Sequence, residues 1–395
     1  NCKRIFDDEE KNLTNDEHKC ILHCKKNDYS KDWNSGLLSK FYDELILYIT
    51  DSLSMYSEYF ENETEKYTMI EYLKKNLHYD NERINEILLK TTFTFNSISF
   101  PRRDSRDNFD YLKILNLLGN IHFNYSEFYL SYLELNESKC FFQDCKFHER
   151  WTLFNYKLLE NEDNILYQTC IFYENVTNYS QIESKELSVY ENSQFDYTCE
   201  FKKNIEFENV NFRNMLFNVG QENIYFASSI KKLTFIHCVF DAKFQLNNCN
   251  IKEFICEDSI FNDKFEFIKN SIENFIMENS TYTGIVDLSN SIFKRFKIYK
   301  GSYANNTDFE NCIFGTNSKL KKEIATFKSV SFTGLLNFRN TKFLSGLDVS
   351  NIDIQNNSNF LDAEIDLGNT HRDTFRTLKH SFDSIGNIIE ANKFY

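Results

Sequence analysis

Between residues 240 and 303 the chain can be laid over itself with a shift of 21 positions, and large apolar residues then fall on large apolar residues. Phe240, Phe261, Tyr282 and Tyr303 form one column, Leu246, Phe267, Leu288 and Phe309 a second, and Ile251, Ile272, Phe293 and Phe314 a third. Phe254, Phe275 and Phe296 make a fourth, and Cys256, Met277 and Ile298 a fifth. Few folds accept such a period, because each unit must bury its apolar residues against a copy of itself. Within one unit the large residues are spaced 6, 5, 5 and 5 apart. That spacing excludes a heptad coiled coil, and the chain shows neither the asparagine ladder nor the L-x-x-L-x-L core of a leucine-rich repeat. The simplest solution is a coil of four short extended sides. Each side carries a bulky inward residue, with a smaller inward residue two positions earlier. Successive coils stacked about 4.8 Å apart through parallel backbone hydrogen bonds would place like residues over like.

The pattern continues with a changed register through Phe327, Phe332, Phe338, Phe343, Val349, Ile354, Phe360 and Ile365, which gives a 22-residue coil. Upstream, a bulky-x-x-small-x-bulky pair recurs in Phe95/Ile98/Phe100, Phe123/Ser126/Phe128, Phe142/Cys145/Phe147, Tyr167/Cys170/Phe172 and Phe207/Val210/Phe212. The small position holds Cys249, Asn270, Ser291 and Cys312 in one series and Ser259, Ser280 and Gly301 in another. The words Cys238-Val239-Phe240, Ser259-Ile260-Phe261, Ser291-Ile292-Phe293 and Cys312-Ile313-Phe314 resemble the pentapeptide-repeat family. Its consensus is a small residue, then Asn or Asp, then Leu or Phe. The central Asn or Asp is often Ile or Val here, and the corners carry extra residues. The resemblance covers about two thirds of the chain. It implies a mainly β fold, a right-handed parallel quadrilateral β-helix, with an α-helical N-terminal cap and C-terminal helices. The expected segments are 1–30, containing Cys and His; a helical cap over 31–92; the repeat over 93–366, with a helical insertion at 101–120; and C-terminal helices over 367–395.

The chain has 11 cysteines. Cys145, Cys170, Cys199, Cys238, Cys249 and Cys312 fall at or near the small inward position, where a free thiol serves as a compact hydrophobe. Buried thiols without partners point to a reducing compartment, and hence to the cytoplasm. Cys2, Cys20, His23 and Cys24 lie outside the repeat in the spacing C-x17-C-x2-H-C. Two readings stand for them. They are ligands of a tetrahedral structural Zn²⁺, or they are ordinary packed thiols and a surface imidazole.

Residues 37–60 and 64–90 keep apolar residues at three- and four-residue intervals, as helices that would cover the first coil. In 101–120, Tyr111, Ile114 and Leu117 share one helical face, so the insertion reads either as a projecting contact site or as a tolerated loop. Phe375, Leu378, Phe382 and Ile385 form a stripe ended by Gly386, with a second helix beginning at Asn387. That pair resembles the helical tail of larger pentapeptide-repeat proteins in which a membrane or effector segment follows. A membrane segment after Tyr395 would place the chain on the cytoplasmic face of a membrane.

The formal net charge is −14, and basic clusters are lacking, so direct nucleic-acid binding is not expected. The chain contains 1 Pro and 10 Gly, and its excess of Asn, Lys, Ile, Phe and Tyr follows A/T-rich coding, which also scatters Asn-x-Ser/Thr sequons by chance. No run approaches the roughly 18 apolar residues needed to cross a bilayer. No nucleotide-binding glycine loop, nucleophile elbow or H-E-x-x-H helix occurs, and His122, His148, His237, His371 and His380 read as surface residues. No catalytic or cofactor-binding residue is assigned. The expected function is a non-catalytic interaction scaffold with a protein partner, with oligomerisation through a solenoid end or the C-terminal helices as a further expectation. A nucleic-acid mimic is the second reading, implied by resemblance to family members that bind DNA gyrase. An enzyme with a cleft outside the column is the third.

Overall fold

The computed structural model describes residues 19–26, 36–54, 63–74, 82–102, 108–135, 138–161, 164–179, 187–218, 229–316, 323–384 and 386–394. The chain divides into two compact units, residues 1–174 and 175–395. Each is built mainly from short strands in parallel sheets, with few helices.

In the second unit the columns seen in the sequence are rungs of parallel ladders. Phe240 stands beside Phe261, Phe261 beside Tyr282 and Tyr282 beside Tyr303. Ile251, Ile272, Phe293 and Phe314 are likewise in register, as are Phe254, Phe275 and Phe296. The chain visits three sheets in turn and adds one strand to each on every pass. One pass runs through Asn250–Glu257, Ile260–Phe261 and Phe265–Glu266, and the next through Ser271–Glu278, Thr281–Tyr282 and Val286–Asp287. The eight-residue strands carry two buried stretches apiece, Ile251 and then Phe254 with Cys256 in the first. On that side, and at Phe244 and Phe265, the inward residue two positions before the next apolar rung is a phenylalanine, where the spacing predicts a smaller residue.

Strand spacing sets the ring spacing. Phe240–Phe261, Phe261–Tyr282 and Tyr282–Tyr303 stack with centroids 4.4, 4.8 and 4.7 Å apart and planes within 6°. Between sheets the same rings meet edge to face, Phe240 on Phe244 at 5.4 Å and Phe261 on Phe265 at 5.0 Å. Both geometries suit the aromatic quadrupole, so every ring has favourable neighbours along the ladder and across it. The hydroxyl of fully buried Tyr282 points at Met277 Sδ, 3.0 Å away.

The cysteine or serine ahead of each bulky residue has a hydrogen-bonding task. Ser126 Oγ donates to the Phe95 carbonyl at 2.9 Å, Cys145 Sγ to Phe123 at 3.4 Å and Cys170 Sγ to Phe142 at 3.5 Å. In the second unit Ser291 Oγ reaches Phe267, Cys312 Sγ reaches Leu288 and Thr341 Oγ1 reaches Phe309. Each small residue thus satisfies a carbonyl one coil below while leaving room for the rings. The ten cysteines described are buried. Burial pushes the thiols of Cys238 and Cys249 up to about 12, so they remain protonated donors.

Immediately before each small residue the backbone turns left-handed. Tyr125, Asp144 and Thr169 in the first unit all have φ between 51° and 54°. In the second, Asn248, Lys269, Asn290 and Asn311 form one series, and His237, Asp258, Asn279 and Lys300 another. Asparagine and aspartate tolerate this region better than other residues with a side chain. Some of the asparagine attributed above to coding bias therefore sits where the corner requires it. Such asparagines also bond along the stack, as Asn311 Nδ2 does to Asn290 Oδ1 at 3.3 Å. A glycine is needed at position 284, where a Cβ would lie 2.4 Å from the Asp263 backbone.

The first unit is less regular, because Thr92–Asn96, Asn120–Asn124 and Lys139–Gln143 pair in register while the connections between them differ in length. Helix α1 (Leu37–Ser54) covers its first strands. Leu45, Ile46 and Ile49 are fully buried, Tyr48 stacks on Phe95 at 5.8 Å, and Tyr48 OH donates to the Thr94 carbonyl at 2.9 Å. The segment predicted as one helix over 64–90 contains α2 (Glu63–Lys74) and α3 (Glu82–Lys90). Within 101–120 a short helix, α4 (Tyr111–Leu115), lies against α1, with Tyr111 on Phe41 at 5.4 Å and its hydroxyl on the Pro101 carbonyl. Tyr111 and Ile114 are fully buried, which leaves them unavailable to an outside partner.

At the C-terminal end, α5 (Arg372–Ser384) buries Thr374, Leu378, Ser381 and Phe382. Of the expected stripe, Leu378 and Phe382 are buried, Phe375 is half-buried and Ile385 lies outside the described residues; the buried face is shifted toward two hydroxyls that face the sheets. Thr374 Oγ1 accepts the Val349 N–H at 3.2 Å, and Ser381 Oγ donates to the Ser358 carbonyl at 2.8 Å. Gly386 follows with φ 75°.

Two substitutions test this account. Phe275→Ala, which removes a ring stacked on both Phe254 and Phe296, should cost about 3–5 kcal/mol in urea unfolding; a loss below about 1 kcal/mol would contradict the stacked core. Lys269→Asn, at an exposed left-handed corner, should raise stability by up to about 1 kcal/mol, whereas Asn290→Ala should lower it by a similar amount.

Candidate functional site

Of the four residues singled out for zinc, Cys2 lies outside the described residues. The others share one turn, whose Leu22 carbonyl accepts the Ser99 N–H at 2.8 Å. Cys20 Sγ and His23 Nδ1 are 2.9 Å apart. Cys24 is fully buried, and its sulfur accepts from Lys26 Nζ at 3.2 Å. Lys26 is itself buried; it also donates to the carbonyls of Ile21 and Cys24 at 2.7 and 2.6 Å, and its ammonium lies 5.6 Å from the centre of the Phe41 ring. Burial, only partly offset by Cys24, pulls its pKa down to about 8. Burial likewise lowers that of His23. Among the described residues no three His, Cys, Asp or Glu side chains converge as a metal site. A cation beside Cys24 opposes a metal ion at the same sulfur, so zinc would have to draw in Cys2 and displace Lys26. Lys26 gave no signal in the sequence, since one lysine of a Lys-Lys pair reads as surface.

Nearby strands carry a second polar cluster. Glu127 Oε2 accepts from Tyr129 OH at 2.9 Å and meets His148 Nε2 at 3.1 Å, while Lys146 Nζ lies 3.6 Å from the other oxygen. The His148 hydrogen bond, against the effect of burial, holds the Glu127 carboxyl down at about 2. His148 is stacked between Tyr129 and Tyr173, with centroids at 4.3 and 5.0 Å. With its ring packed and its nitrogen engaged, His148 braces successive coils. His122 does the same, stacked on Phe141 at 5.0 Å and bonded to Gln143 at 3.1 Å.

The outer face of the second unit is organised by charge. Several side chains of one coil meet an opposite charge on the next, as in Lys294–Glu273 at 2.8 Å, Lys300–Glu278 at 3.3 Å and Lys342–Glu364 at 2.9 Å. Glu266 accepts from Lys264, Lys243 and Asn247; burial alone would raise its pKa, but these partners hold it at about 2. A groove of about 340 Å³ crosses the long strands and is lined by Asn204, Lys231, Lys232, Lys252, Glu253, Glu273, Asn274 and Arg295. Lys232, Glu253, Asn274 and Arg295 are successive rungs of one ladder. Lys231 and Lys252 are exposed and hold the preceding position in adjacent coils. The sequence reading passed over them because their coincidence appears only when charges, like apolar residues, are compared column by column.

No family model, curated protein or solved structure matches this chain. Its functional reading rests on its own geometry.

Lys26 gives that geometry a measurable signature. The unfolded chain holds the lysine proton up to about pH 10.4, and the folded chain only up to about 8. Lys26 therefore contributes a rise of stability with pH across that window, against the fall contributed by buried thiols such as Cys238 and Cys249, which keep their protons when folded. Urea unfolding of the wild type and of Lys26→Met on both sides of about pH 8 checks this: stability should climb more, or fall less, with pH in the wild type than in the variant, and equal slopes would contradict it.

Proposed function

We propose that this protein is a non-catalytic interaction scaffold of the pentapeptide-repeat kind, whose parallel sheets close into four-sided right-handed coils. The closure is supported by the constant 21-residue offset of side-chain contacts on several faces, such as Cys249–Asn270, Asn262–Asp241 and Asn274–Glu253. It is supported too by rings that meet edge to face across the coil. The observation that carries the scaffold reading is the division between inside and outside. The interior is filled by stacked aromatic residues, whereas the exterior presents ladders of charged and amide side chains on a rigid frame. A surface of that kind recognises another macromolecule by position and charge.

The mimic reading requires uninterrupted negative stripes. Lysines set against glutamates one coil away interrupt them. The protonated, buried thiols suit a reducing compartment, and we place the protein in the cytoplasm. Among the described residues no helix is long and apolar enough to cross a membrane.

Affinity purification of the intact protein from its native cells, read by mass spectrometry, should return a protein partner in reproducible stoichiometry. Recovery of none across repeated preparations would count against the scaffold. Gyrase supercoiling should be unaffected at micromolar protein, and inhibition would transfer the assignment to mimicry.

A further inference from the structure

We infer that the groove at Lys231 and Lys252 is a binding site for an acidic peptide segment of a partner protein. The inference rests on the scaffold reading and names where that scaffold takes hold of its partner and by what chemistry. Strand pairing brings Ile230 level with Ile251 and Lys232 level with Glu253, so the two lysines between them are held on adjacent rungs. Like charges directly opposite one another on a sheet are unfavourable. Relief from the surrounding carboxylates is partial: Glu273 makes its direct ion pair with Lys294 at 2.8 Å, which with lesser help from Lys252 holds its carboxyl below the ordinary range, and Glu253 accepts from Asn274 at 3.0 Å. Among the described residues neither ammonium has an ion-pair or hydrogen-bond partner. In a chain of net charge −14 that sets Lys294, Lys300 and Lys342 against glutamates one coil away, these two lysines stand on adjacent rungs without such a contact.

The lining selects the ligand. Lys232 and Arg295 add positive charge at the two ends of the groove, each only loosely tethered, to Glu206 at 3.7 Å and Glu323 at 3.9 Å. Two carboxylates of a peptide can lie on the lysine pair while its backbone N–H groups meet the amide oxygens of Asn204 and Asn274, whose nitrogens donate to Glu206 and Glu253. A nucleic-acid backbone is a poor fit. Its phosphodiester links offer no N–H donor to the amide oxygens of Asn204 and Asn274.

The test uses the full chain, a fluorescent octaglutamate peptide, a glycine–serine peptide of equal length and single-stranded oligothymidylate. Octaglutamate should bind, more weakly as salt rises, with the affinity falling about tenfold or more in Lys231→Gln/Lys252→Gln. The glycine–serine peptide should not bind. Equal affinity of wild type and variant for octaglutamate, or oligothymidylate binding as tight as octaglutamate, overturns the assignment. Thermal unfolding supplies a second readout, independent of the ligand. Removing the stacked charges should leave the melting temperature unchanged or raise it at low salt, with any difference closing at high salt. A variant less stable at every salt concentration would show the lysines to be structural and would also overturn it. If native-cell purification recovers the same partner with wild type and with the double variant, the scaffold stands and the groove is not its contact. If octaglutamate binds in the manner described but no cellular partner is recovered, the groove stands and the scaffold reading falls.

Discussion

Everything in this structure depends on the parallel backbone hydrogen bond between one coil and the next. It holds neighbouring strands about 4.8 Å apart, and in the regular part of the second unit it pairs residues 21 positions apart. Whatever a position carries is therefore set against its counterpart at a fixed, short separation. For a ring that separation is the stacking distance, for a hydroxyl or thiol it places a carbonyl within reach, and for a charge it forces a neighbour of the same or opposite sign. A favourable residue choice is multiplied along the stack, and an unfavourable one is multiplied too.

That dependence explains what was legible beforehand. The columns headed by Phe240, Ile251 and Phe254 could be read directly, because burial demands the same property at every pass and apolar residues are the easiest to count. The corner asparagines were harder. Asn248, Asn290 and Asn311 share a left-handed backbone with Lys269, so what repeats is a dihedral angle rather than a residue type. The C-terminal helix was placed correctly but rotated. An apolar stripe of Phe375, Leu378 and Phe382 omits Thr374 and Ser381, which face the sheets for their hydroxyls.

The candidate sites divide the same way. Spacing placed Cys20, His23 and Cys24 in one turn, but it held no hint that Lys26 folds back onto Cys24 Sγ, since a buried ammonium needs carbonyls that only the folded turn assembles. His148 and His122 were read as surface residues, whereas both are packed against aromatic neighbours on adjacent coils. The lysine pair at 231 and 252 was present in the sequence all along. It became visible only once the stacking was known, because charge measured along a segment averages out what charge compared across coils reveals.

The hydroxyl of Thr374 has a consequence for how such a chain can change over time. Inside the stack, the N–H groups of a strand are taken by carbonyls of the pass that follows, as Phe265 N–H is by Ile285 and Ala325 N–H by Gly346. Each pass is thus completed by its successor, and any successor with a strand in register will serve. At the strand Leu347–Asp348 the closing segment substitutes, offering hydroxyls of Thr370 to Leu347 and of Thr374 to Val349. Coils in the middle are interchangeable in a way that the terminal helix is not. A lineage of such proteins can lengthen or shorten by whole coils while the sequence of its closing helix stays under constraint.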